Sequence, residues 1–275
     1  MGKNKGKKSK KTKASTADKY VLYQKSVQEP DVEVEFFSRA FKREFDRPAK
    51  LLREDFCGTF AICCEWIKSK KDRRAIGVDL DPEPLNWGRK NNLAKVDEAS
   101  QQRVKLLQDD VRVVSGDKAD VLSAQNFSFW IFKTRKEVLE YFKAAYSNMA
   151  DESVMVLDMM GGPECMDEEQ TDVRSYKGFK YEWEQARFDP ISHDCKFHIH
   201  FAFKDGSRLD KAFTYEWRFW SIPEVRELLE EAGFARADVY WEGTDEDGEG
   251  NGIYRRREHA PSDACWIAYI VAVKK

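Results

Sequence analysis

The sequence predicts an α/β fold: a doubly wound sheet of seven strands with helices on both faces, interrupted by an inserted antiparallel β segment. Three observations predict it. Between residues 31 and 160, short strand-like runs alternate with segments whose apolar residues recur at helical spacing. The first three of these runs end in acids, at Glu54-Asp55, at Asp79 and at Asp109-Asp110. From residue 176 to 219 the rhythm changes to alternating aromatic and polar residues.

The elements follow in order. Residues 1–19 hold eight lysines and one acid, Asp18, with little to bury, and are expected to form a disordered basic arm preceding one domain over 20–275. Such an arm is either a solvated tail, an electrostatic arm for RNA or another acidic partner, or a nuclear address in a eukaryote. Val32, Phe36, Phe37, Ala40, Phe41 and Phe45 mark a first helix that Pro48 closes. Strands are expected at 49–53, 74–80, 103–108, 119–123 and 153–159, with helices at 60–68, 82–94 and 135–149 between them. Pro82 sits in the first turn of its helix, where its missing N–H costs nothing. Residues 163–220 are the expected insertion, with Asp205-Gly206 as a hairpin turn. Ser221 caps a further helix that Gly233 stops, and strands at 237–241 and 266–273 complete the seven, separated by an acidic, glycine-rich loop at 242–252.

Composition excludes several classes. The longest strongly apolar run, 266–273, is far too short to span a bilayer, and no apolar leader opens the sequence, so a cytoplasmic protein is expected, or a nuclear one in a eukaryote. Residues 20–275 carry 39 Lys and Arg against 48 Asp and Glu, which argues against a broad nucleic-acid groove on the folded body. Six cysteines without paired spacing read as reduced thiols. His193, Cys195, His198 and His200 lie close in sequence, but no carboxylate is fixed beside them, so no metal is expected, and a solvated strand face or a substrate contact in the inserted sheet is the plainer reading. The aromatics from Phe179 to Trp220 read as the core face of a sheet.

The segment Leu51-Leu52-Arg53-Glu54-Asp55-Phe56-Cys57-Gly58-Thr59-Phe60 carries the chemistry. It ends a strand in acids, turns at Gly58 and enters a helix whose N-terminus favours an anion. The second strand ends in Gly77-Val78-Asp79-Leu80-Asp81, where an acid can accept both hydroxyls of a ribose. With these strings the sequence resembles the class I S-adenosylmethionine-dependent methyltransferases, well over 20–160 and by topology over 215–275, and within them a little-characterised group. The resemblance implies a Rossmann-like methyltransferase sheet, S-adenosylmethionine as cofactor and a set of site residues. Glu54 takes the acidic position near the cofactor amino group, flanked by Arg53. Cys57, Gly58 and Thr59 form the cofactor loop, Asp79 binds the ribose, Leu80 packs on the adenine, and Asp110 and Val111 lie at its edge. The fourth-motif segment 120–127 lines the cleft and adds Gln125 to the cofactor set.

Phe56 and Phe60 stand where the Gly-x-Gly-x-Gly pattern has its first and third glycines. A phenylalanine resists φ > 0, so the loop is expected to be shaped differently there. For catalysis the candidates are Asn126, placed to hydrogen-bond a nucleophile, and Tyr23 with Tyr20, placed to fold over the cofactor unless they merely pack the N-terminal helix. A small-molecule acceptor is favoured, with RNA or protein reached through the lysine arm as the alternative. A methyltransferase-like scaffold without catalysis is the reading from another class.

Overall fold

A computed structural model describes residues 11–245 and 250–275. In chain order these form α1 (Lys19–Ser26), α2 (Pro30–Phe45), β1 (Leu51–Asp55), α3 (Ala61–Ser69), β2 (Arg74–Asp79), α4 (Pro82–Asn91), α5 (Glu98–Gln101) and β3 (Val104–Gln108). There follow β4 (Ala119–Ala124), α6 (Arg135–Ser147), β5 (Met149–Gly161), β6 (Gln170–Tyr176), β7 (Phe179–Phe188), β8 (Asp194–Phe203) and β9 (Arg208–Arg218). The chain ends with α7 (Ile222–Glu231), β10 (Arg236–Thr244), β11 (Gly250–Arg257) and β12 (Trp266–Lys274). None of the described helices is long and apolar enough to cross a membrane.

Among the described residues, two compact units share these elements: 29–166, 190–194, 217–245 and 250–275 form the larger, and 11–28, 167–189 and 195–216 the smaller. The larger unit holds a sheet ordered β11-β10-β12-β5-β4-β1-β2-β3. β1 pairs in parallel with both β2 and β4, and β5 continues beside β4, so the chain reverses its direction of winding at β1 and β4. In such sheets the ligand crevice opens at the strand C-termini at that switch. Leu52, Val121, Val156, Tyr269 and Val271 join Phe37, Phe41, Cys63 and Ile67 in one apolar cluster beneath α2 and α3. The opposite face is marked by Asp55, which Tyr141 of α6 reaches with its hydroxyl at 3.3 Å. Thr134 and Ser221 each close a reciprocal capping box at the start of α6 and α7, satisfying first-turn amides that have no acceptor within the helix.

The sheet has eight strands among the described residues, against the seven expected. The extra strand is β11, which pairs antiparallel with β10 at the sheet edge. The segment expected as an acidic loop at 242–252 is therefore largely a hairpin, and its residues 246–249 lie outside the described residues.

In the smaller unit, β6 to β9 form an antiparallel sheet in sequence order, and α1 packs Leu22 and Tyr23 against its Tyr181, Ile199 and Phe201. Gly206 takes φ +80° in the β8–β9 turn, as an Asp-Gly hairpin requires. Asp205 and Ser207 in that turn accept the backbone amides of Lys13 at 2.8 Å and Ala14 at 3.1 Å. The expected disordered arm is corrected on this point: residues 1–10 lie outside the described residues, but Ala14–Thr16 form a helical turn because the hairpin supplies acceptors that composition does not reveal. His198 and His200 share a strand face as expected, yet the face is buried rather than solvated. His200 Nδ1 accepts the Lys211 amide at 3.0 Å, so Nε2 carries the proton it directs at Glu184, 2.7 Å away.

Candidate active site

The C-terminal end of β1 is set by alternation. Leu52 and Glu54 face α2 and α3, while Arg53 and Asp55 face the other way. Arg53 is buried, binds Asp55 through Nε at 2.7 Å, and donates to the carbonyls of Val111 at 3.3 Å and Val114 at 3.4 Å. It thus holds the turn after β3 against β1.

Three residues of the next loop take positive φ: Phe56 at 56°, Gly58 at 51° and Phe60 at 47°. The expected change of loop shape does not occur. The backbone keeps the alternation that glycines would give, at a strain of about 1–3 kcal/mol per phenylalanine. Aromatic packing offsets that cost. Phe60 is fully buried, and α4 lies so close on it that a Cβ on Gly88 would stand 2.5 Å from its ring. Phe56 meets Tyr141 with ring centroids 5.4 Å apart and Phe132 at 6.0 Å. Asn92 holds the Thr59 carbonyl at 2.9 Å, and the Cys57 amide bonds the Val78 carbonyl at 3.0 Å. At Gly58 nothing stands within 4 Å of where a Cβ would be, so the loop opens there.

The expected acids meet along one rim, since parallel pairing sets the ends of β1, β2 and β3 side by side. Glu54 is buried, accepts the Cys63 amide in the first turn of α3 at 3.0 Å, and is pushed up to about 8, chiefly by burial. Asp79 is half-buried and accepts the amides of Gly58 at 2.7 Å and Asp81 at 2.9 Å; burial raises its pKa. Leu80, beside it, is 68% exposed. Asp110 reaches the rim as well, but Arg112 grips its carboxylate at 2.7 Å and holds its pKa down. Val111 is buried.

The end of β4 adds a second loop. Asn126 and Phe127 take φ of 58° and 55°, and Asp158 of β5 accepts both their amides, at 2.7 and 2.8 Å. Burial pushes Asp158 up to about 7. Gln125 donates to the Val156 carbonyl at 2.9 Å, while its buried Oε1 has no hydrogen-bond partner. Asp158 pairs with Tyr269 of β12 in register.

Sequence reasoning missed Glu33. It lies in the first turn of α2, buried, with Oε2 lacking a hydrogen-bond partner. Burial first, then the charges of Glu54 and Asp158, raise its pKa well above the ordinary range. The signal was present: Glu33 stands four residues before Phe37 and eight before Phe41, a carboxyl in the apolar stripe of an amphipathic helix.

Tyr23 and Tyr20 belong to the smaller unit, where their rings lie 4.8 and 5.9 Å from Phe213 and Tyr23 bonds Tyr215. Both rings pack within the smaller unit. Among the described residues no three His, Cys, Asp or Glu side chains are grouped to hold a metal ion.

No family model matches the chain. A curated relative of Bacillus subtilis (strain 168), named "Putative methyltransferase YqeM", is 26% identical over 198 residues, covering 69% of this chain and 75% of the relative. Among solved structures, an S-adenosylmethionine-dependent methyltransferase from Clostridium acetobutylicum superposes with a TM-score of 0.67 at 16% identity, over 93% of this chain and 98% of its own. DesVI of Streptomyces venezuelae gives 0.66 at 17% identity, over 93% and 96% of the two chains. CalS10, an amino pentose methyltransferase from Micromonospora echinaspora solved with its cofactor bound, gives 0.65 at 16% identity over 93% and 96%. The chain therefore has the fold of the class I S-adenosylmethionine-dependent methyltransferases.

Proposed function

We propose that the protein is an S-adenosylmethionine-dependent methyltransferase whose acceptor is a small molecule, methylated at an amino nitrogen. The observation that carries the enzyme reading is the β1 loop: alternating positive φ at Phe56, Gly58 and Phe60, with Glu54 and Asp79 on the adjoining strand ends. That conformation in a chain lacking two of the three glycines has a reason if the loop must keep one shape for a ligand.

The residues present fit the cofactor. Glu33 has a buried oxygen with no partner close to the Glu54 carboxylate, and together they match an ammonium such as that of the methionine moiety. Asp79 retains lone pairs beyond those taken by Gly58 and Asp81 for ribose hydroxyls, and Leu80 offers an exposed apolar face for adenine. Asp110 and Val111 flank it, Arg53 holds their turn, and Cys57, Gly58 and Thr59 shape the floor. Gln125 Oε1 is a further acceptor without a partner. When bound, S-adenosylmethionine supplies an electrophilic methyl group, so the chain's residues have mainly to align the acceptor and exclude water.

An amine suits the rest of the site. An ammonium must lose its proton before it can attack, and Asp158, pushed up to about 7, is matched to take that proton near neutral pH. Asn126, fixed by Asp158 through its backbone, stands beside it to orient the nitrogen. The solved neighbours add support: CalS10 acts on an amino pentose, and KedS8, at a TM-score of 0.63 and 16% identity, is a sugar N-methyltransferase.

Calorimetry of the full chain with S-adenosylmethionine, then transfer of labelled methyl groups to a panel of amino sugars, tests the proposal. Binding and labelling of an amine are expected. No heat at millimolar cofactor would replace the enzyme with a scaffold, and labelling of RNA or protein alone would replace the acceptor.

A further inference from the structure

We propose that Cys165 and Cys265 close a reversible disulfide, a modification site whose oxidant is a low-molecular-mass disulfide such as oxidised glutathione. Their sulfurs lie 3.5 Å apart although the residues are 100 positions apart in the chain. That separation is why the spacing of the six cysteines gives no hint of a pair. A disulfide needs an S–S distance of about 2.05 Å, so closure asks for about 1.5 Å of travel, within reach of a cysteine side-chain rotation.

Strand pairing brings the two residues together. Cys165 lies in a helical turn over Pro163–Met166 just after β5, and Cys265 directly precedes β12. β5 and β12 pair antiparallel from Trp266 opposite Gly161 to Lys274 opposite Ser153, so the two cysteines flank one end of the ladder. Beyond that end the segments stay in backbone contact. The Glu164 amide donates to the Ala264 carbonyl at 3.0 Å, and a Cβ on Gly162 would stand 2.3 Å from that same oxygen. All of these residues belong to the larger unit.

The two thiols differ in the way that exchange requires. All six cysteines lie among the described residues, and Cys265 is the exposed one, so a dissolved disulfide meets it first. Cys165 is 3% exposed and donates its S–H to the Gly161 carbonyl at 3.2 Å, which leaves its lone pairs for Cys265. Exchange then runs in two displacements. The Cys265 thiolate attacks one sulfur of oxidised glutathione, forming a mixed disulfide and expelling one glutathione thiolate. The Cys165 sulfur gives up its proton to solvent and attacks the Cys265 sulfur, expelling the second glutathione thiolate. Two protein thiols are oxidised and one disulfide is reduced to two glutathiones. The protons that the cysteines release balance those that the leaving thiolates take up.

The product staples the open end of the β5–β12 ladder and closes a loop from 165 to 265. Closing so long a loop removes much freedom from the unfolded chain, so the oxidised protein should be the more stable form.

The test incubates the folded full chain with oxidised and reduced glutathione at a series of ratios, alkylates the remaining thiols, and reads the masses of the protein and its peptides. The wild type is expected to yield one internal disulfide joining the peptides that carry Cys165 and Cys265, reversed by dithiothreitol. Oxidised protein should melt about 5 °C or more above reduced protein. Cys165→Ser should stop at one glutathione on Cys265, Cys265→Ser should take up none, and neither variant should gain melting temperature on oxidation. A wild type that stops at the glutathione adduct, pairs Cys265 with another cysteine, or melts no higher when oxidised overturns the proposal. So does an equal yield of the same pair from urea-unfolded chain, because the fold would then not be what sets it. Neither sulfur is used in the methyl-transfer reading, so the fate of that reading leaves this result unchanged.

Discussion

The loops after β1 and β4 stand on paired strands, and both place non-glycine residues at positive φ. Each is clamped by a carboxylate from the strand next to it: Asp79 of β2 on the Gly58 amide, Asp158 of β5 on the amides of Asn126 and Phe127. They differ in depth. Asp158 is buried and applies one oxygen to each of two successive left-handed residues, locking its loop from beneath. Asp79 is half-buried, and its loop alternates left-handed residues around an open Gly58. An acid at a strand end is thus first a clamp, and it serves a ligand or takes a proton only with the lone pairs the clamp leaves.

The largest effect should come from removing the deeper clamp. Asp158→Ala leaves two amides without acceptors, each worth about 1–3 kcal/mol, so urea unfolding should show a loss of about 2–6 kcal/mol. A loss below 1 kcal/mol would mean that water replaces the carboxylate and that the two loops do not differ in depth. Next is Phe60→Gly. It relieves left-handed strain of about 1–3 kcal/mol but empties a fully buried site, where loss of an aromatic costs about 3–5 kcal/mol, and frees the unfolded chain by about 0.5–1 kcal/mol, for a net loss centred on about 2–3 kcal/mol.

For the shallower clamp the expected effect falls on ligand affinity. Asp79→Ala should weaken S-adenosylmethionine binding by about 1.5–3 kcal/mol, the range for hydrogen bonds to a charged group, as read by calorimetry. Unchanged affinity would show that Asp79 is a clamp alone and that the ribose site lies elsewhere.

The buried acids also set a pH dependence. Asp158 is pushed up to about 7 and Glu54 up to about 8, while in the unfolded chain both titrate near 4. Between these values the folded state holds protons that the unfolded state has released, so stability falls as pH rises from about 4 to about 8. That is the reverse of a carboxylate held in an ion pair. The melting temperature should be lower at pH 8 than at pH 6, and the difference should shrink in Asp158→Asn, which has no proton to release. Equal values for the wild type at both pH values would contradict the deep burial of these groups.

Much of this architecture was legible in the sequence, and the residues explain why. Apolar runs closed by acids gave the parallel strands, Pro82 and Ser221 marked helix starts, and Asp205-Gly206 marked a hairpin, because each signal is local chemistry. The rim acids followed from spacing alone. What stayed hidden depends on contacts distant in sequence. Phe56 and Phe60 are poor left-handed residues by type, and only aromatic packing from α4 and α6 makes the conformation tolerable. Glu33 resembled a first-turn acid, since its burial beside Glu54 and Asp158 exists only in the fold. β11 has few apolar residues to alternate, because an edge strand with an exposed face needs few.

The smallest expected effect sharpens the comparison most. In Phe56→Gly the backbone at φ 56° suits the new residue, which relieves strain of about 1–3 kcal/mol. Against that stand the two edge-on ring contacts with Tyr141 and Phe132, worth about 0.5–1.5 kcal/mol each, and the greater freedom glycine gives the unfolded chain, about 0.5–1 kcal/mol. These terms nearly cancel, so the urea midpoint should move little, by the equivalent of about 1 kcal/mol or less, and cofactor affinity should hold because the loop shape is kept. Phe60→Gly, with the same backbone relief but a ring fully buried, should fall well below it. Equal losses in the two variants would show that the half-buried ring matters as much as the buried one, and that the strain in this loop is balanced at its exposed end and not at its core.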